Sequence, residues 1–385
     1  MNGNFVDILE RLIAFDTVSA RSNLSLIHWI GDYLKQHGAA VDVVPAPDGQ
    51  PKANLWATIG PKRDGGIVLS GHTDVVPVEG QPWTSDPFKL IETDTRFIGR
   101  GTSDMKGFIA LCLALVPEMA ARPLKTPLHF AFSYDEELGC LGAPHLLKAI
   151  GENLPRPRIA IIGEPTGMKL GVRHKGVYSF ETCVTGKDGH SSQPERGLNA
   201  ILLAGEVMTE MARIYRGIQE NGPFDRSFDP PHCSFNIGNI DGGTAVNIIA
   251  RECRFLWDFR AIPGGHPDQI LVPLRAFTQK RLAELRKSQP VADIVITPRV
   301  SAPPLVEEHE SAAEALLKHL TGANDTVSLP YATEAGQFQQ AGMSAIVCGP
   351  GHIAQAHQPD EFIDKEQLAA GDAFLRRLVD WVRTN

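Results

Sequence analysis

Paired cysteines are the first feature that this sequence lacks. Its six cysteines are scattered along the chain and none forms a C-x-x-C pair: Cys112, Cys140, Cys183, Cys233, Cys253 and Cys348. This spacing argues against a disulfide framework and against a thiolate zinc site. Any bound metal would therefore have to be held by oxygen and imidazole ligands.

Long basic runs and long apolar runs are also missing. The formal net charge is −8 and no Lys/Arg-rich run could follow a phosphate backbone, so we expect no nucleic-acid partner. The longest strongly apolar stretch, around Phe108 to Val116, is far shorter than the roughly 20 residues that span a bilayer, so we expect no membrane partner. Near the N-terminus Asp7, Glu10 and Arg11 stand among apolar residues at helical spacing, unlike a signal peptide, which predicts a cytoplasmic protein.

A nucleophile motif is absent as well. The chain contains no G-x-S-x-G elbow, so neither a serine or cysteine nucleophile nor a covalent acyl-enzyme is expected. No arginine or lysine phosphate clamp stands near the acidic segments described below, which disfavours a two-metal phosphoesterase.

What the first part of the chain does contain is an alternation of short β-branched runs with helical patterns. Strands are predicted at Ala40–Val44, Gly66–Ser70, Leu128–Ser133 and Ile159–Ile162. Helices are predicted at Phe5–Phe15, Leu24–Gln36, Met105–Met119 and Ala143–Ala149. This alternation predicts an α/β fold with a mostly parallel sheet that is covered on both faces.

The order of predicted strands and helices changes between residues 177 and 302. The predicted elements there are Val177–Thr185, Gly197–Tyr215, His232–Ile240, Ala250–Ala261, Gln269–Arg286 and Ala292–Pro298. Their β-α-β-β-α-β order is that of a ferredoxin-like unit. Because the α/β pattern then resumes, we predict a catalytic domain of residues 1–176 and 303–385 with an inserted domain of residues 177–302.

Five segments place metal-type ligands after an apparent strand or in a glycine-bearing loop. They are IVLSGHTDVVP with His72 and Asp74, GRGTSDMKG with Asp104, SYDEELG with Asp135, Glu136 and Glu137, IAIIGEPTG with Glu164, and GPGHIAQAHQPDEF with His352 and His357. Each alone could be an ordinary loop histidine, a helix cap or a solvated acidic turn. Open α/β sheets bind their ligands at such strand ends, and five coincidences in one chain are improbable.

The spacing within two of these segments indicates how a metal would be held. Asp74 lies two residues after His72, so in an extended backbone it can accept the free imidazole N–H while the other nitrogen binds metal. Adjacent carboxylates repel one another unless a cation absorbs their charge. Glu136 and Glu137 would point to opposite sides, so that one binds metal while the other handles protons. Such ligands suit zinc, cobalt or manganese, and ligand type alone does not choose among them.

At these residues the sequence resembles the two-zinc M20 metallopeptidase family. The motifs SGHTDVVP, GRGTSDMKG, DEE, GEPT, GHSSQPERGLNAI and AHQPDEF follow the family's order over most of the chain. The resemblance implies two divalent metal ions, zinc or alternatively cobalt, bridged by Asp104. It implies that His72 and Glu164 complete one metal position, and that Glu137 and His357 complete the other.

The same resemblance implies catalytic and substrate-binding roles. Glu136 matches the family's general acid/base, and Asp74 matches the aspartate behind the metal ligands. Residues 177–302 resemble the family's lid and dimerisation domain, in which His190 would reach the active site of the partner in a homodimer. Asn247 and Arg260 match positions that help to hold the substrate.

Two further expectations follow from the resemblance. His352 stands where several relatives have another residue, so only His357 is assigned as a ligand. The peptide after the bridging aspartate is cis in relatives, which predicts a cis bond between Asp104 and Met105.

The expected reaction is hydrolysis of the amide bond of a small N-acyl amino acid. Within the family, the runs GRGTSDMKGF, YATEAGQFQQAG and GPGHIAQAHQPDEF favour N-acetylornithine as the substrate. Arg173, Lys175 and Arg260 offer cationic partners for its carboxylate, and Glu334 could meet its cationic side chain. The alternatives are succinyl-diaminopimelate, other N-acyl amino acids or dipeptides, and a catalytically silent metal-binding scaffold.

Overall fold

The computed structural model describes residues 3–385, so Met1 and Asn2 of the predicted catalytic domain lie outside it. The helices are α1 (Gly3–Ile13), α2 (Leu24–Gln36), α3 (Lys106–Ala114), α4 (Val116–Ala120), α5 (Ala143–Glu152), α6 (Ala200–Asn221), α7 (Asp268–Leu285), α8 (Ala312–Thr321), α9 (Ala335–Gln340) and α10 (Lys365–Thr384). The strands are β1 (Ala40–Pro45), β2 (Ala53–Ile59), β3 (Ile67–His72), β4 (Ile91–Glu92), β5 (Arg96–Ile98), β6 (Leu128–Ser133), β7 (Ile159–Pro165), β8 (Leu170–His174), β9 (Gly176–Thr185), β10 (Ser234–Gly242), β11 (Glu252–Ala261), β12 (Asp293–Ala302), β13 (Thr326–Leu329), β14 (Ser344–Gly349) and β15 (Phe362–Asp364). In this part of the chain no helix is both long enough and apolar enough to cross a membrane.

An eight-stranded sheet organises the first of two compact units, which contains the segments up to Arg173, Leu305–Ser328 and Thr333–Asn385. Its strand order is β1-β2-β6-β3-β7-β14-β8-β13. The central strands β6, β3, β7 and β14 run parallel, while β1, β2 and β8 make antiparallel pairs. Every residue of β3, β6 and β7 is buried, as expected for parallel strands that are covered on both faces. The predicted α/β fold with a mostly parallel sheet is confirmed.

The central parallel strands end together at one edge of this sheet. The register pairs Ser70 with Ile162 and His72 with Ser133, so β3, β6 and β7 reach nearly the same level. His72 is the last residue of β3, and Glu164 is the last but one of β7. The sheet therefore delivers ligand-type side chains from neighbouring strands to one place.

Helix α3 gives this edge a rigid support. All of its residues from Lys106 to Leu113 are buried, and a helix that is apolar on nearly all sides belongs in a core. It contacts α1, α10 and β3. The predicted single helix over residues 105–119 is wrong in one respect, because α3 ends at Ala114 and α4 begins at Val116. Pro117 explains the break, since it has no N–H to continue the helical hydrogen bonds.

The second compact unit comprises His174–Pro304 and Leu329–Ala332. It contains β9, α6, β10, β11, α7 and β12 in that order, and its sheet has the antiparallel order β10-β11-β9-β12. Alternate residues of β9 and β11 are buried, so one face of the sheet packs on the helices. The predicted β-α-β-β-α-β unit is present, with its own core around Val207, Phe255 and Phe259.

Several elements of the first unit were not predicted from the sequence: β2, β4, β5, β8, β13, β15 and α9. Strand β2 reads ANLWATI and is buried throughout, so it lacks the polar alternation that marks a half-exposed strand. Helix α9 has only six residues, too few to display a helical period. Both are recognisable only from the neighbours against which they pack.

A buried histidine far from the ligand edge is built into the start of β6. The His129 ring stacks on Trp56 with centroids 4.9 Å apart. Its Nε2–H donates to the Gly65 carbonyl at 3.1 Å, and its Nδ1 accepts from the Thr58 hydroxyl at 2.9 Å. With one nitrogen donating and the other accepting, the His129 ring is neutral. Burial lowers the pKa of His129 to about 4, although the hydrogen bond to Gly65 and the Asp64 charge oppose this shift.

We predict that His129 makes the fold sensitive to mild acid. Above the ordinary histidine pKa of about 6.5, the ring is neutral both in the folded and in the unfolded chain. As the pH falls below that value only the unfolded chain gains a proton, so stability is lost progressively until the folded pKa is reached. The loss should be about 2 kcal/mol between pH 7 and pH 5.

Urea unfolding of the wild type and of His129→Asn at both pH values measures this effect. The variant should be less stable at pH 7 but should lose about 2 kcal/mol less than the wild type on acidification. Equal losses in the two proteins would contradict the prediction.

Candidate metal centre

The sequence-predicted metal ligands meet at one edge of the first unit. Five loops or strand ends contribute one side chain each: His72, Asp104, Glu137, Glu164 and His357. Asp104 stands two residues before α3, and His357 lies between β14 and β15. Parallel strands and a buried helix thus bring together residues that are up to 285 positions apart in the sequence.

Asp104 is at the centre of this cluster. Its Oδ1 lies 2.9 Å from His72 Nε2, whereas its Oδ2 lies 3.4 Å from His357 Nε2. Glu164 Oε1 is 3.7 Å from His72 Nε2, and Glu137 Oε2 is 3.1 Å from His357 Nε2. The two oxygens of one carboxylate therefore face two different histidines, each of which has a second carboxylate beside it.

Ligand atoms in this cluster fall into two overlapping groups. In one group, atoms of His72, Asp104 and Glu137 lie within 4.8 Å of one another. In the other, atoms of His72, Glu136 and Glu164 do so. Glu136 thus reaches the same space as the ligands, and the thiol of Cys140 donates to its Oε1 at 3.3 Å.

Burial makes negative charge costly at this centre. It raises the pKa of Glu136 and of Glu164 well above the usual range, and together with the Asp104 charge it raises the pKa of Glu137 to about 7. Burial alone would raise the pKa of Asp104 too, but hydrogen bonds from His357 and His72 lower it. Hydrogen bonds to Asp104 and Glu137 raise the pKa of His357 to about 10. Positive charge is therefore strongly favoured among these carboxylates.

The donor set fits divalent metal ions. It consists of buried carboxylate oxygens and imidazole nitrogens, which suit zinc or cobalt. His72 Nδ1 donates to the Asp74 carbonyl at 2.9 Å, so Nε2 is the nitrogen that would bind a metal ion, after releasing the hydrogen that it shares with Asp104 in the metal-free site. A cation would relieve the repulsion among the carboxylates.

Asp74 differs from its expected arrangement. Its carboxylate is 3.7 Å from His72 Nδ1, too far for the predicted hydrogen bond, and the imidazole uses the Asp74 backbone carbonyl instead. The carboxylate accepts from the backbone N–H groups of Glu136, at 3.1 Å, and Glu137, at 3.3 Å, and from the Ser19 hydroxyl at 2.7 Å. Two of these three donors are backbone N–H groups of the acidic loop around Glu136 and Glu137. Asp74 therefore holds the backbone of that loop in place.

A buried ion pair that sequence reasoning missed holds the same loop. Lys52 Nζ donates to Asp135 Oδ1 at 2.6 Å and Oδ2 at 2.7 Å, and to the Ser19 carbonyl at 2.6 Å. Asp135 adopts a left-handed conformation with φ of 53°. The Lys52 segment precedes Asp135 by 83 residues and carries no motif, so no signal in the sequence pairs them.

Glu334, which the sequence suggested as a partner for a cationic substrate side chain, lies beside β3. It is 2% exposed and its Oε2 accepts from the Ser70 hydroxyl at 3.3 Å. His72 and Glu164 are buried to a similar degree, and the Glu334 charge adds to the effect of burial in raising the pKa of Glu136. Glu334 therefore lies near the cluster, and its role toward a substrate stays a prediction.

Of the other predicted residues, Arg173 lies in the first unit, where it pairs with Glu307, and the rest lie in the second unit. His190, Asn247 and Arg260 are all exposed there. The His190 Nδ1 lies 2.8 Å from the Ser192 hydroxyl, and Arg260 Nε donates to Asp258 Oδ2 at 2.6 Å. Lys175, proposed above as a carboxylate partner, donates instead to the backbone carbonyls of Asp229 and Pro230.

The peptide bond between Asp104 and Met105 is cis, as the resemblance implies. The backbone of His352 forms an isolated antiparallel bridge with Thr166, and the exclusion of its side chain from the ligand set stays a prediction.

The fold and the donor set together define a metal-dependent hydrolase built on a mostly parallel α/β sheet. The chain belongs to Peptidase family M20/M25/M40, whose profile matches residues 68–381. The resemblance inferred from the sequence motifs is confirmed, and the chain is a metal-dependent amidohydrolase.

Curated relatives match nearly the whole chain. It is 35% identical over 391 residues to an acetylornithine deacetylase of Photorhabdus laumondii, covering 98% of this chain and 96% of that protein. It is 37% identical over 374 residues to an acetylornithine deacetylase of Erwinia tasmaniensis, covering 94% and 93%.

Solved structures share the fold at lower identity. A metallo-carboxypeptidase of the M20 family from Sulfolobus solfataricus has a TM-score of 0.74 at 16% identity, with full coverage of both chains. A tripeptidase from Staphylococcus aureus has a TM-score of 0.72 at 17% identity, covering 99% of this chain and 98% of that one. A dinuclear metal-binding peptidase from Bacillus subtilis has a TM-score of 0.63 at 16% identity, with coverage of 99% and 98%.

We predict that metal binding stabilises the first unit. Zinc or cobalt added to metal-free protein at about 100 times its dissociation constant should raise the free energy of unfolding by about 3 kcal/mol. Thermal unfolding with and without metal measures the shift. Glu137→Gln removes a carboxylate charge from the cluster and should reduce it, while a wild-type protein without any shift would contradict the assignment of this cluster as a metal centre.

Proposed function

We propose that this protein hydrolyses N-acetylornithine to ornithine and acetate. The observation that carries the proposal is identity of 35–37% over 94–98% of the chain to relatives named acetylornithine deacetylase. A complete cluster of carboxylate and imidazole donors in the first unit supports it. Hydrolysis of succinyl-diaminopimelate, or of a wider range of N-acyl amino acids or dipeptides, is the alternative that the kinetic test below separates.

We assign two metal positions in this cluster. His72 and Glu164 would hold one ion, Glu137 and His357 would hold the other, and Asp104 would bridge them through its two oxygens. Divalent ions in such a donor set make water a nucleophile near neutral pH and polarise an amide carbonyl. Zinc is the proposed metal, with cobalt as the alternative.

Glu136 is the proposed general acid/base. Its carboxylate shares the space of the ligand atoms without being needed in either proposed ligand set. It would accept a proton from the attacking water and deliver that proton to the departing amine nitrogen. Asp74 supports this role, because it accepts the Glu136 backbone N–H and so fixes the start of the loop.

We further propose that residues 177–302 form a lid and dimerisation domain. His190 of one subunit would stabilise the oxyanion in the site of its partner, and Asn247 and Arg260 would hold the substrate. All three side chains are exposed, which this role requires.

Surface chemistry of the second unit supports a homodimer. Strand β10 is at the edge of the four-stranded sheet, where its outer backbone groups are available for pairing. Large apolar side chains are exposed on α6, on β10 and on the segment that follows β10: Ile201, Leu202, Ile240, Val246 and Ile248. Leu202 is 69% exposed, and such a patch of apolar side chains typically marks an association surface.

The substrate assignment predicts a strong kinetic preference. Zinc- or cobalt-loaded enzyme should release amine from N-acetylornithine with a much higher kcat/KM than from N-succinyl-diaminopimelate or N-acetylmethionine. Comparable values for all three would withdraw the specific substrate while retaining an amidohydrolase.

Glu136→Ala is the control for this assay. It should abolish turnover while metal content stays nearly intact, because its carboxylate handles protons and is not a proposed ligand. If the variant instead loses metal, Glu136 is a ligand and its assignment as acid/base is wrong.

The shared site predicts complementation between two inactive variants. Glu136→Ala and His190→Ala homodimers should each be nearly inactive when assayed alone. Mixed dimers contain one site with both defects and one intact site, so random reassociation of equal amounts should restore about one quarter of wild-type activity. Full activity of His190→Ala alone, or no recovery after exchange demonstrated by differently tagged subunits, would count against a site shared between subunits.

A further inference from the structure

A buried carboxylate outside the proposed ligand set holds the backbone of Asp104. Glu361 is 1% exposed, and its Oε1 accepts hydrogen bonds from the N–H groups of Ser103, at 2.9 Å, and Asp104, at 3.0 Å. Its Oε2 accepts from Arg100 Nη1 at 2.7 Å. Glu361 therefore fixes the main chain from which the proposed bridging carboxylate projects.

Arg100 connects this carboxylate to the loop that carries His357. Its Nη1 also donates to the Gln358 carbonyl at 3.3 Å, and its Nη2 donates to Gln81 Oε1. Gln81 Nε2 in turn donates to the His357 carbonyl at 2.9 Å. One chain of hydrogen bonds thus joins the backbones of Asp104 and His357.

The buried Arg100–Glu361 pair contributes little net free energy to folding. The side chains of Arg100 and Glu361 are 1% and 0% exposed, and a buried ion pair loses most of its Coulomb gain to desolvation. Apolar residues of similar size would hold such a position about as well. Apolar side chains could not replace the hydrogen bonds of this arrangement. Four of these bonds end on backbone groups of the loops that carry Asp104 and His357.

The two proposed metal positions differ in how much they need this support. His72 is 1% exposed at the end of β3 and is oriented by the Asp74 carbonyl, and Glu164 lies within β7. The His357 side chain is 48% exposed, on a loop where its φ is 62°. The strands therefore fix the first position, whereas the second depends on hydrogen bonds to its loop.

We propose that Glu361, Arg100 and Gln81 form a clamp that sets the metal affinity of the Glu137–His357 position while leaving the His72–Glu164 position nearly unchanged. These three are positioning residues, and the inference rests on the two-metal assignment made under the proposed function. The clamp acts by holding the His357 backbone and the Asp104 backbone at a fixed separation. Loss of the clamp should therefore produce an enzyme that retains one metal and releases the other.

Titration of metal-free protein with cobalt, followed by the visible absorption of the bound ion, tests this inference. In Glu361→Gln the new amide oxygen can still accept from the two N–H groups, but the amide NH₂ cannot pair with Arg100. We expect the tighter cobalt position to keep its affinity and the weaker one to lose at least about 10-fold. Gln81→Met removes the amide of a partly exposed side chain and should give a smaller loss of cobalt affinity at the same position. This second variant keeps the test valid if Glu361→Gln fails to fold.

Asp364→Asn is the matched control, because it neutralises an arginine-paired carboxylate of the same segment that accepts from Arg96 at 2.9 Å near the surface. Its cobalt affinities should equal those of the wild type. Equal weakening of both positions in Glu361→Gln and in Gln81→Met, or a lower melting temperature with both affinities unchanged, would overturn the clamp alone. A wild type that takes up fewer than two cobalt ions would overturn the two-metal assignment itself, and the clamp with it.

Discussion

The crowding of carboxylates around one histidine is the constraint on which this structure depends. Asp104, Glu136, Glu137 and Glu164 converge near His72 in a buried region, where water cannot screen their mutual repulsion. Such a cluster is stable only when cations share the space and when the backbone around it cannot relax outward. The remainder of the first unit can be understood as the framework that meets this second requirement.

Three kinds of structural support hold the backbone around the carboxylate cluster. The parallel strands β3 and β7 carry His72 and Glu164 directly, and buried helix α3 anchors the segment that begins with Asp104. The loops that no strand fixes are held by buried polar groups, as in the Lys52–Asp135 pair. Lys52 also donates to the Ser19 carbonyl, so this pair ties the acidic loop to a neighbouring segment without using any of the proposed ligand atoms.

The same fold occurs in hydrolases with different names. Solved structures with this fold include a tripeptidase and a metallo-carboxypeptidase, at 16–17% identity to this chain. The fold therefore does not choose the substrate. That choice depends on groups around the cluster.

The sequence by itself predicted the α/β fold from its alternation of strand and helix patterns, and it placed candidate ligands at strand ends and in glycine turns, all of which are local patterns. The chemical class and the proposed ligand set followed from the resemblance of those motifs to a known family. Only the tertiary structure decided how the ligands are held: Asp74 turned to the acidic loop, Lys52 paired with Asp135 across 83 residues, and Glu361 paired with Arg100 across 261. A hydrogen bond forms between groups that the packing of the chain brings within about 3 Å of each other. When those groups are far apart in the sequence, no local sequence pattern predicts that they will pair.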